Sequence, residues 1–365
     1  MKRNIAVIFG GISNEHEISI ITGTMAANIL KNGGDTVIPL YITPSNEIYT
    51  GDGLTDINSF RCGGYMRCNR AQIALGGIYV LSKRGRFKKF VKLDAALNCC
   101  HGGAGEGGGI SGLCAMNSIP LASAGMFESA AFMDKYYTKL VLSSLGVKTA
   151  SFAYIRGLNE LESAKLPAYP LIVKPAKLGS SIGIERADNE DELRSAVQAA
   201  LYYDDGILIE EYISGRREIN CAAYFSEGKV FTSECEEAIT AGDILSYDDK
   251  YAGGGRSELP ANIPEPVSCA IKNTTAKVYS KLNMRGIVRF DYILSGEEIY
   301  LSEINTVPGS LSYYLLSKGF KDFYPVLQAV IVQALEDDRL KKEKKILSTG
   351  ILNCINGNAV KNMRK

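Results

Sequence analysis

The hydrophobic positions at the start of the chain alternate between short continuous runs and helical spacing. An apolar run at residues 5–9 ends in a glycine pair, the pattern of a buried parallel strand that enters a turn. Apolar residues at helical spacing follow over 20–30, and a second buried strand is predicted over 37–42. This β-α-β order predicts an α/β fold that opens with a doubly wound parallel-sheet domain.

A polar segment separates the first predicted strand from the first predicted helix. Ligands of a doubly wound sheet bind at the carboxyl ends of its strands, which is where Glu15, His16 and Ser19 are expected. A second interpretation is structural: Ser13 would cap the helix, and Glu15 and Glu17 would complement its dipole. The sequence leaves both interpretations open.

Two alternating apolar runs later in the chain predict a β-hairpin. They cover residues 287–294 and 299–304 and flank a Ser-Gly turn at 295–296. Side chains two apart on a strand share a face, so one face of the hairpin carries a cation and three oxygen-bearing side chains. These four residues are Arg289, Asp291, Glu303 and Asn305. Two carboxylates and an amide suit a hard ion such as Mg²⁺, although a solvated polar face is the alternative.

One lysine interrupts an apolar strand in the middle of the chain. The predicted strand at 169–175 contains Lys174 and runs into a loop rich in glycine and serine. A lysine in an apolar strand is costly unless it is paired. The N–H groups and hydroxyls of such a loop can hold phosphate oxygens, so we predict that Lys174 binds an anion there.

The remaining pattern is mostly helical. Helical periodicity predicts four further helices, at 129–145, 190–203, 266–282 and 311–340. Residues 51–92 show no regular pattern and are predicted to be irregular. The long polar, glycine-rich segment 240–262 is predicted to be a lid or a binding loop.

A glycine-rich loop follows the buried strand predicted at 93–100. Its sequence H-G-G-A-G-E-G-G-G-I-S-G contains the G-x-G-x-x-G spacing twice, which is found in dinucleotide-binding turns. A loop so dense in glycine matches this pattern easily, and no acidic residue closes a following strand at the distance that a ribose requires. A dinucleotide-dependent oxidoreductase is therefore only a weak alternative. The sequence also has no Walker-type phosphate loop.

Composition narrows the function classes further. The 365 residues carry a formal net charge of +1, which gives no electrostatic argument for nucleic acid. The length predicts two or three domains, and the basic run at 83–92 is predicted to be a solvated strand or hairpin surface. Nine scattered cysteines indicate reduced thiols, and two histidines argue against a zinc site. With no signal-peptide core and no spanning apolar run, we expect a cytoplasmic protein.

Seven motifs in combination resemble the D-alanine-D-alanine ligase family of ATP-grasp ligases. They are F-G-G-I-S-N-E-H-E-I-S, H-G-G-A-G-E, M-D-K, V-K-P with G-S-S-I-G, D-K-Y, V-R-F-D and E-I-N-T-V-P-G. They follow the family's order from residue 4 to residue 340. The resemblance implies a two-subdomain ATP-grasp, α+β in its ATP-binding part, behind the N-terminal domain. The expected division is 1–125, 126–210 and 211–345, followed by a basic tail at 346–365.

The resemblance implies roles in metal and nucleotide binding for the matching residues. Asp291, Glu303 and Asn305 resemble the metal ligands, and Arg289 resembles the cation that stabilises charge on the reacting groups. The residues that resemble ATP contacts are Lys135, Lys174, Ser180, Ser181, Glu210, Ile213 and Glu218.

The resemblance likewise implies substrate contacts. Glu15 matches the residue that receives the ammonium of the first substrate, and it is expected to form a hydrogen-bonded set with Ser180 and Tyr251. The residues that resemble contacts to the second substrate and to the oxyanion are His101, Lys250, Gly309, Tyr314 and Leu315.

The implied reaction joins two D-alanine molecules for peptidoglycan synthesis. One carboxylate attacks the γ-phosphate of ATP to form an acyl phosphate, and the amine of a second D-alanine displaces the phosphate. The resemblance implies ATP and two Mg²⁺ or Mn²⁺ ions as cofactors. It also implies small-molecule substrates and a homodimer, without nucleic-acid or membrane partners.

Several positions depart from the family's usual pattern, including Cys114-Ala115 where Leu-Glu is common and one extra residue in G-R-R-E. Gly107 stands in place of an aspartate and Ser111 in place of a glutamine, while Tyr313 replaces a frequent histidine. Tyr314 stands where a serine normally contacts the carboxylate of the acceptor. These departures concern the acceptor pocket and leave as an alternative a ligase that joins D-alanine to another acceptor such as D-serine. A nucleotide-binding regulatory protein that has lost its chemistry is an alternative of another class, and the intact set of Arg289, Asp291, Glu303 and Asn305 argues against it.

Overall fold

The computed structural model of the protein describes residues 2–239, 256–344 and 349–350. The strands of its first sheet are β1 (Asn4–Gly10), β2 (Thr36–Ile42), β3 (Ile48–Thr50), β4 (Asn69–Ala74), β5 (Gly77–Leu81), β6 (Phe87–Lys92) and β7 (Ala95–Asn98). They lie in the order β6-β5-β4-β3-β2-β1-β7. β1 is parallel to β2 and β7, as the β-α-β pattern predicted, and the other neighbours are antiparallel. The sheet is therefore mixed, with a parallel part at one end.

The antiparallel part of this sheet contains β4, β5 and β6, so the prediction that residues 51–92 are irregular was wrong. The edge strand β6 escaped detection because its side chains are almost all exposed, which leaves no apolar alternation to read. The basic run at 83–92 overlaps this strand, and its predicted role as a solvated strand surface is confirmed.

Helices cover both faces of the parallel part. Helix α1 (His16–Asn32) packs against Ile5, Val7 and Phe9 of β1, while Ala6 and Ile8 point to a second core. This alternation follows from the two-residue period of a strand that is buried on both faces. Two further helices of this region are α2 (Asn58–Arg61) and α3 (Ile110–Met116).

The second sheet is antiparallel and has four strands. They are β8 (Phe152–Ile155), β9 (Leu171–Pro175), β10 (Glu185–Ala187) and β11 (Ile207–Glu211), in the order β10-β9-β11-β8. Helices α6 (Leu158–Leu161) and α7 (Glu190–Ala200) flank it. The apolar face of α7 buries Leu193, Ala196 and Val197 against the sheet, which confirms the helix predicted there.

The third sheet is antiparallel and carries the predicted hairpin. Its strands are β12 (Arg217–Ser226), β13 (Lys229–Thr232), β14 (Glu236–Ile239), β15 (Arg256–Glu258), β16 (Val288–Ser295) and β17 (Glu298–Asn305). β16 and β17 form the hairpin, but its turn lies at residues 296–297, one position later than predicted. Gly296 has φ 60° at the first turn position, a conformation that glycine adopts without strain.

The helix predicted over 129–145 is broken into two. Helix α4 (Met126–Met133) ends at Asp134, whose backbone is extended, and α5 (Lys135–Ser144) begins directly after it. The Asp134 carboxylate accepts the N–H groups of Tyr136 and Tyr137 at 2.9 and 3.4 Å, so it caps α5. Periodicity continues across the break, which explains why the sequence pattern did not reveal it.

Three helices complete the described chain: α8 (Glu265–Lys281), α9 (Tyr313–Leu316) and α10 (Phe320–Glu343). They correspond to the predicted helices at 266–282 and 311–340, except that the second is interrupted. Most of the predicted lid at 240–262 lies outside the described residues, and its end forms β15. Among the helices of the described ranges, none is both long and apolar enough to cross a membrane.

Candidate functional site

The hairpin of β16 and β17 places four polar side chains on one face, as their spacing predicted. Arg289 pairs with Asn305 across the ladder, and Asp291 pairs with Glu303. Arg289 donates two hydrogen bonds to the Asp291 carboxylate, from Nε to Oδ1 at 2.7 Å and from Nη2 to Oδ2 at 2.8 Å. Asn305 donates to the same carboxylate at 2.9 Å. The face is thus a preorganised cluster of one guanidinium and three oxygen-bearing groups.

Lys135 joins this cluster from the first turn of α5. Its ammonium lies 2.9 Å from Glu303 Oε1 and also donates to the carbonyl of Leu178 at 2.5 Å. Burial lowers the pKa of Lys135, but the hydrogen bond and charge of Glu303, together with the charges of Glu210 and Glu15, outweigh it, so the pKa is raised. The Asp134 cap fixes the start of α5, so it also fixes where this ammonium lies.

Lys174 on β9 is buried and paired with Glu210 on the neighbouring strand β11. The Lys174 ammonium lies 2.6 Å from Glu210 Oε2, and Lys139 approaches Glu210 Oε1 at 2.6 Å. Burial lowers the pKa of Lys174 despite the partner carboxylate. Burial also opposes ionisation of Glu210, but the two lysines lower its pKa to about 2. The pairing satisfies the condition under which a lysine tolerates an apolar strand.

Glu15 at the start of α1 meets the glycine-serine loop that follows β9. Ser180 donates a hydrogen bond to Glu15 Oε1. Ser180 and Ser181 have φ values of 55° and 59°, so this loop is held in a left-handed conformation. Tyr251, the expected third member of this set, lies outside the described residues, as does Lys250. Ser13 does not cap α1; its hydroxyl accepts the N–H of Glu15 at 2.8 Å.

His101 is buried beneath the loop that follows β17. Its Nδ1 lies 2.7 Å from the carbonyl of Val307, and its Nε2 lies 2.8 Å from the hydroxyl of Thr22. Burial lowers the pKa of His101 to about 4, so the ring is neutral at pH 7. Gly309 in this loop and Tyr314 after it line the cavity, and Leu315 is buried.

A cavity of about 420 Å³ joins several of these groups, whereas Lys174, Glu210 and Asp291 do not line it. Residues from each of the three sheet regions line it, including Glu15, Lys135, Ser180, Arg289, Glu303 and Asn305. Glu218 lies on the same face of the third sheet, two residues from Asn220, which lines the cavity. Ile213 instead packs in a small apolar cluster with Ala150 and Ile293.

Four residues that the sequence analysis did not select take part in this arrangement. Glu106 and Glu236 line the cavity, Lys139 pairs with Glu210, and Thr22 contacts His101. Glu106 stands in the quoted H-G-G-A-G-E motif, which was the available signal. The other three could not be selected, because their contacts join elements that are far apart in the sequence.

Two family descriptions match the chain. The D-ala D-ala ligase N-terminus matches residues 4–124, and the D-ala D-ala ligase C-terminus matches residues 141–332. The chain belongs to the D-alanine-D-alanine ligase family. The resemblance drawn from the seven motifs is thereby confirmed.

Similar members of the family occur in two Thermosipho species. The D-alanine--D-alanine ligase of Thermosipho melanesiensis is 34% identical over 355 residues, covering 94% of this chain and 96% of the relative. That of Thermosipho africanus is 33% identical over 355 residues, covering 93% and 95%. The match therefore extends over nearly the full length of both ligases.

Solved structures of the ligase family share the fold. The D-alanine-D-alanine ligase of Helicobacter pylori is 27% identical, with a TM-score of 0.75 over 90% of this chain and 98% of its own. The VanG D-Ala:D-Ser ligase of Enterococcus faecalis has a TM-score of 0.77 over 91% and 100%, at 24% identity. At that identity the second likeness concerns the fold only, which is the expected ATP-grasp architecture.

Proposed function

We propose that this chain is a D-alanine-D-alanine ligase, which joins two D-alanine molecules at the expense of ATP and thereby supplies peptidoglycan synthesis. The observation that carries the proposal is the meeting of the oxygen-rich hairpin face with Lys135 and Glu15 in one cavity. Ligation through an acyl phosphate concentrates negative charge in both of its steps. Preorganised cations and N–H groups are what such charge requires.

The hairpin face fits a divalent metal ion. Asp291, Glu303 and Asn305 lie side by side on paired strands and offer oxygen atoms without nitrogen or sulfur ligands. This donor set suits Mg²⁺ or Mn²⁺, with water and nucleotide phosphates completing the coordination. We propose that these three residues hold two such ions, which would neutralise charge on the phosphates of ATP.

Lys135 and Lys174 are proposed to hold the phosphates of ATP. Both ammonium groups are buried and lie on adjoining elements, and each is oriented by a carboxylate, Glu303 or Glu210. The loop of Ser180 and Ser181 would close over the phosphates with its backbone N–H groups. Contacts to the adenosine are proposed for Glu210, Ile213 and Glu218.

The first D-alanine is proposed to bind with its ammonium on Glu15. Ser180 already donates to this carboxylate, so the loop that covers the phosphates also touches the residue that receives the amino acid. This contact would couple closure of the loop to binding of the substrate. Tyr251 is proposed to complete the set.

The chemistry then needs no nucleophile from the protein. The carboxylate of the first D-alanine attacks the γ-phosphorus of ATP, ADP leaves, and an acyl phosphate forms. The amine of the second D-alanine attacks the acyl carbon and loses a proton, and inorganic phosphate leaves. Arg289 and the N–H of Gly309 are proposed to stabilise the oxygen that becomes negative in the tetrahedral intermediate.

The second D-alanine is proposed to bind at the side of the cavity formed by Gly309 and Tyr314, with contributions from His101, Lys250 and Leu315. His101 is neutral and saturated by two hydrogen bonds, so it shapes this side without adding charge. We also propose that the protein is a cytoplasmic homodimer. Within each chain we propose domain boundaries at 125/126, 210/211 and 345/346.

Product analysis by mass spectrometry tests the proposal. Incubation with ATP, Mg²⁺ and D-alanine should give D-alanyl-D-alanine and ADP. When D-serine is added as a competing acceptor, less D-alanyl-D-serine than D-alanyl-D-alanine should form. Arg289→Ala should abolish the product while ATP binding stays measurable, because the guanidinium acts on the reacting groups. An absence of dipeptide with every D-amino acid would overturn the proposal and favour a regulatory nucleotide-binding protein.

A further inference from the structure

The loop between β17 and α9 has an unusual backbone. Ser310, Leu311 and Ser312 have φ values of 49°, 49° and 50°, three consecutive residues in the left-handed region without a glycine among them. For each such residue the left-handed conformation is less favourable than the right-handed one, because Cβ approaches the following carbonyl oxygen. A strained segment of this kind persists only when its surroundings determine it.

One anchor of this loop is Thr22, on helix α1. The N–H of Ser310 donates to Thr22 Oγ1 at 3.0 Å. Thr22 Oγ1 also lies 2.8 Å from Nε2 of His101, and Nδ1 of His101 lies 2.7 Å from the carbonyl of Val307. A carbonyl can only accept, so Nδ1 carries the proton, Nε2 is the acceptor, and the Thr22 hydroxyl donates to it.

A second anchor is Glu106, in the glycine-rich loop. Its Oε1 accepts the N–H of Val307 at 3.2 Å, and its Oε2 accepts the N–H of Gly102 at 2.8 Å. Both polar groups of the Val307 backbone are therefore held, the carbonyl by His101 and the N–H by Glu106. These bonds fix the loop immediately before Gly309, and the Thr22 bond fixes it immediately after.

Gly309 lies between the two anchors and faces open space. A Cβ atom built on it would meet no heavy atom within 4 Å, so the neighbouring protein does not require glycine there by crowding. The open side is part of the cavity wall. A substrate can therefore approach this backbone closely, and the direction of the Gly309 N–H depends on the two anchors.

We propose that Thr22 and Glu106 are positioning residues, which act with His101 to aim the Gly309 N–H at the reacting carbonyl oxygen. This inference rests on the proposed ligase function. Thr22 is fully buried, so it acts through Ser310 and His101 and does not touch a substrate. A displacement of about 1 Å at a reacting centre can reduce turnover roughly 100-fold.

Kinetics of matched variants test the proposal. Thr22→Val keeps the shape of the side chain and removes its hydroxyl, so kcat should fall roughly 10- to 100-fold while KM for ATP changes less than about twofold. Thr22→Ser retains the hydroxyl and should restore kcat to within about threefold of wild type. A kcat of Thr22→Val within twofold of wild type, or equal losses in both variants, would overturn it.

A measurement on the wild-type protein separates this inference from the ligase proposal. The chain has two histidines, so ¹⁵N-histidine NMR gives two imidazole signals, and His16→Asn identifies that of His101. His101 should be neutral with its proton on Nδ1, and Thr22→Val should shift the Nε2 resonance. A proton on Nε2 would overturn the network even if the ligase is active. If the network is seen but no dipeptide forms, the ligase proposal fails instead.

Discussion

Lys174 Nζ and Glu210 Oε2 lie 2.6 Å apart on neighbouring strands, with both side chains buried. The same carboxylate also holds Lys139, so one negative charge compensates two ammonium groups. The excess positive charge of this trio lies where we propose that ATP phosphates bind. The arrangement therefore links the stability of the second sheet to its proposed function.

Replacing Glu210 by Gln should destabilise the protein by about 3 kcal/mol, because it leaves two buried ammonium groups without a counter-charge. Urea denaturation at pH 7 measures the change. Glu298→Gln is the matched control, since Glu298 pairs with Lys148 at the surface and its loss should cost less than about 1 kcal/mol. Equal effects of both variants would contradict the assigned role of burial.

The ion pair of Lys174 and Glu210 also predicts how the free energy of unfolding depends on pH. The pKa of Glu210 is about 2 in the folded protein and 4.5 in the unfolded chain. Between these pH values the unfolded state therefore binds more protons. The stabilisation is complete above pH 4.5 and is lost as the pH falls toward 2, by about 3 kcal/mol in total. Denaturation of wild type and Glu210→Gln at several pH values should show their difference shrinking through this window.

The N-cap of α5 gives a prediction that joins stability to nucleotide binding. Asp134→Ala should destabilise the protein by about 1 kcal/mol, because two N–H groups lose their acceptor. It should also weaken ATP binding, since Lys135 is the first residue of that helix. Asp134→Asn keeps a capping oxygen and should preserve both properties. Calorimetric ATP titration that shows no difference between the variants would argue against the link.

The part of the site that the sequence predicted follows from short-range geometry. Arg289 and Asp291 share a hairpin face because a strand has a period of two, and the buried Lys174 demanded a partner on energetic grounds. The sequence could not supply what distant elements create together. The pairing of Lys139 with Glu210 depends on how α5 packs against β11, and the bond between Thr22 and Ser310 joins residues 288 positions apart.

The strand β6 shows a different limit of prediction from sequence. An edge strand with solvated side chains on both faces has no hydrophobic period, so its sequence resembles that of a loop. The break at Asp134 has the opposite origin. There the hydrophobic period continues, and one capping side chain ends the first helix and begins the second.

Asp291→Asn should lower the apparent affinity for Mg²⁺ in turnover, because the proposed site loses one of its two carboxylates. We expect the Mg²⁺ concentration for half-maximal activity to rise at least about 10-fold. Chelation of divalent ions by EDTA should stop turnover of the wild type. Glu297→Gln removes an exposed carboxylate from the turn of the same hairpin and should leave the Mg²⁺ dependence unchanged. An unaltered Mg²⁺ dependence in Asp291→Asn would exclude this carboxylate as a ligand.

Tyr314 is predicted to limit the size of the second substrate. Its side chain lines the cavity together with Arg289, and burial raises the pKa of its hydroxyl. Tyr314→Ser would enlarge this side of the cavity, so the preference for D-alanine over a bulkier acceptor such as D-valine should fall roughly 10-fold or more. The ratio of kcat/KM for the two acceptors measures the change.

Two controls separate the volume of Tyr314 from other effects. Tyr314→Phe retains the ring and removes the hydroxyl, so it should keep the preference for D-alanine even if kcat falls. Tyr313→Phe changes a ring that packs on Phe320 and Phe323, with centroids 4.9 and 6.2 Å away, and should alter neither. If Tyr314→Ser and Tyr314→Phe change the preference equally, the hydroxyl determines the choice of acceptor, and the volume argument is wrong.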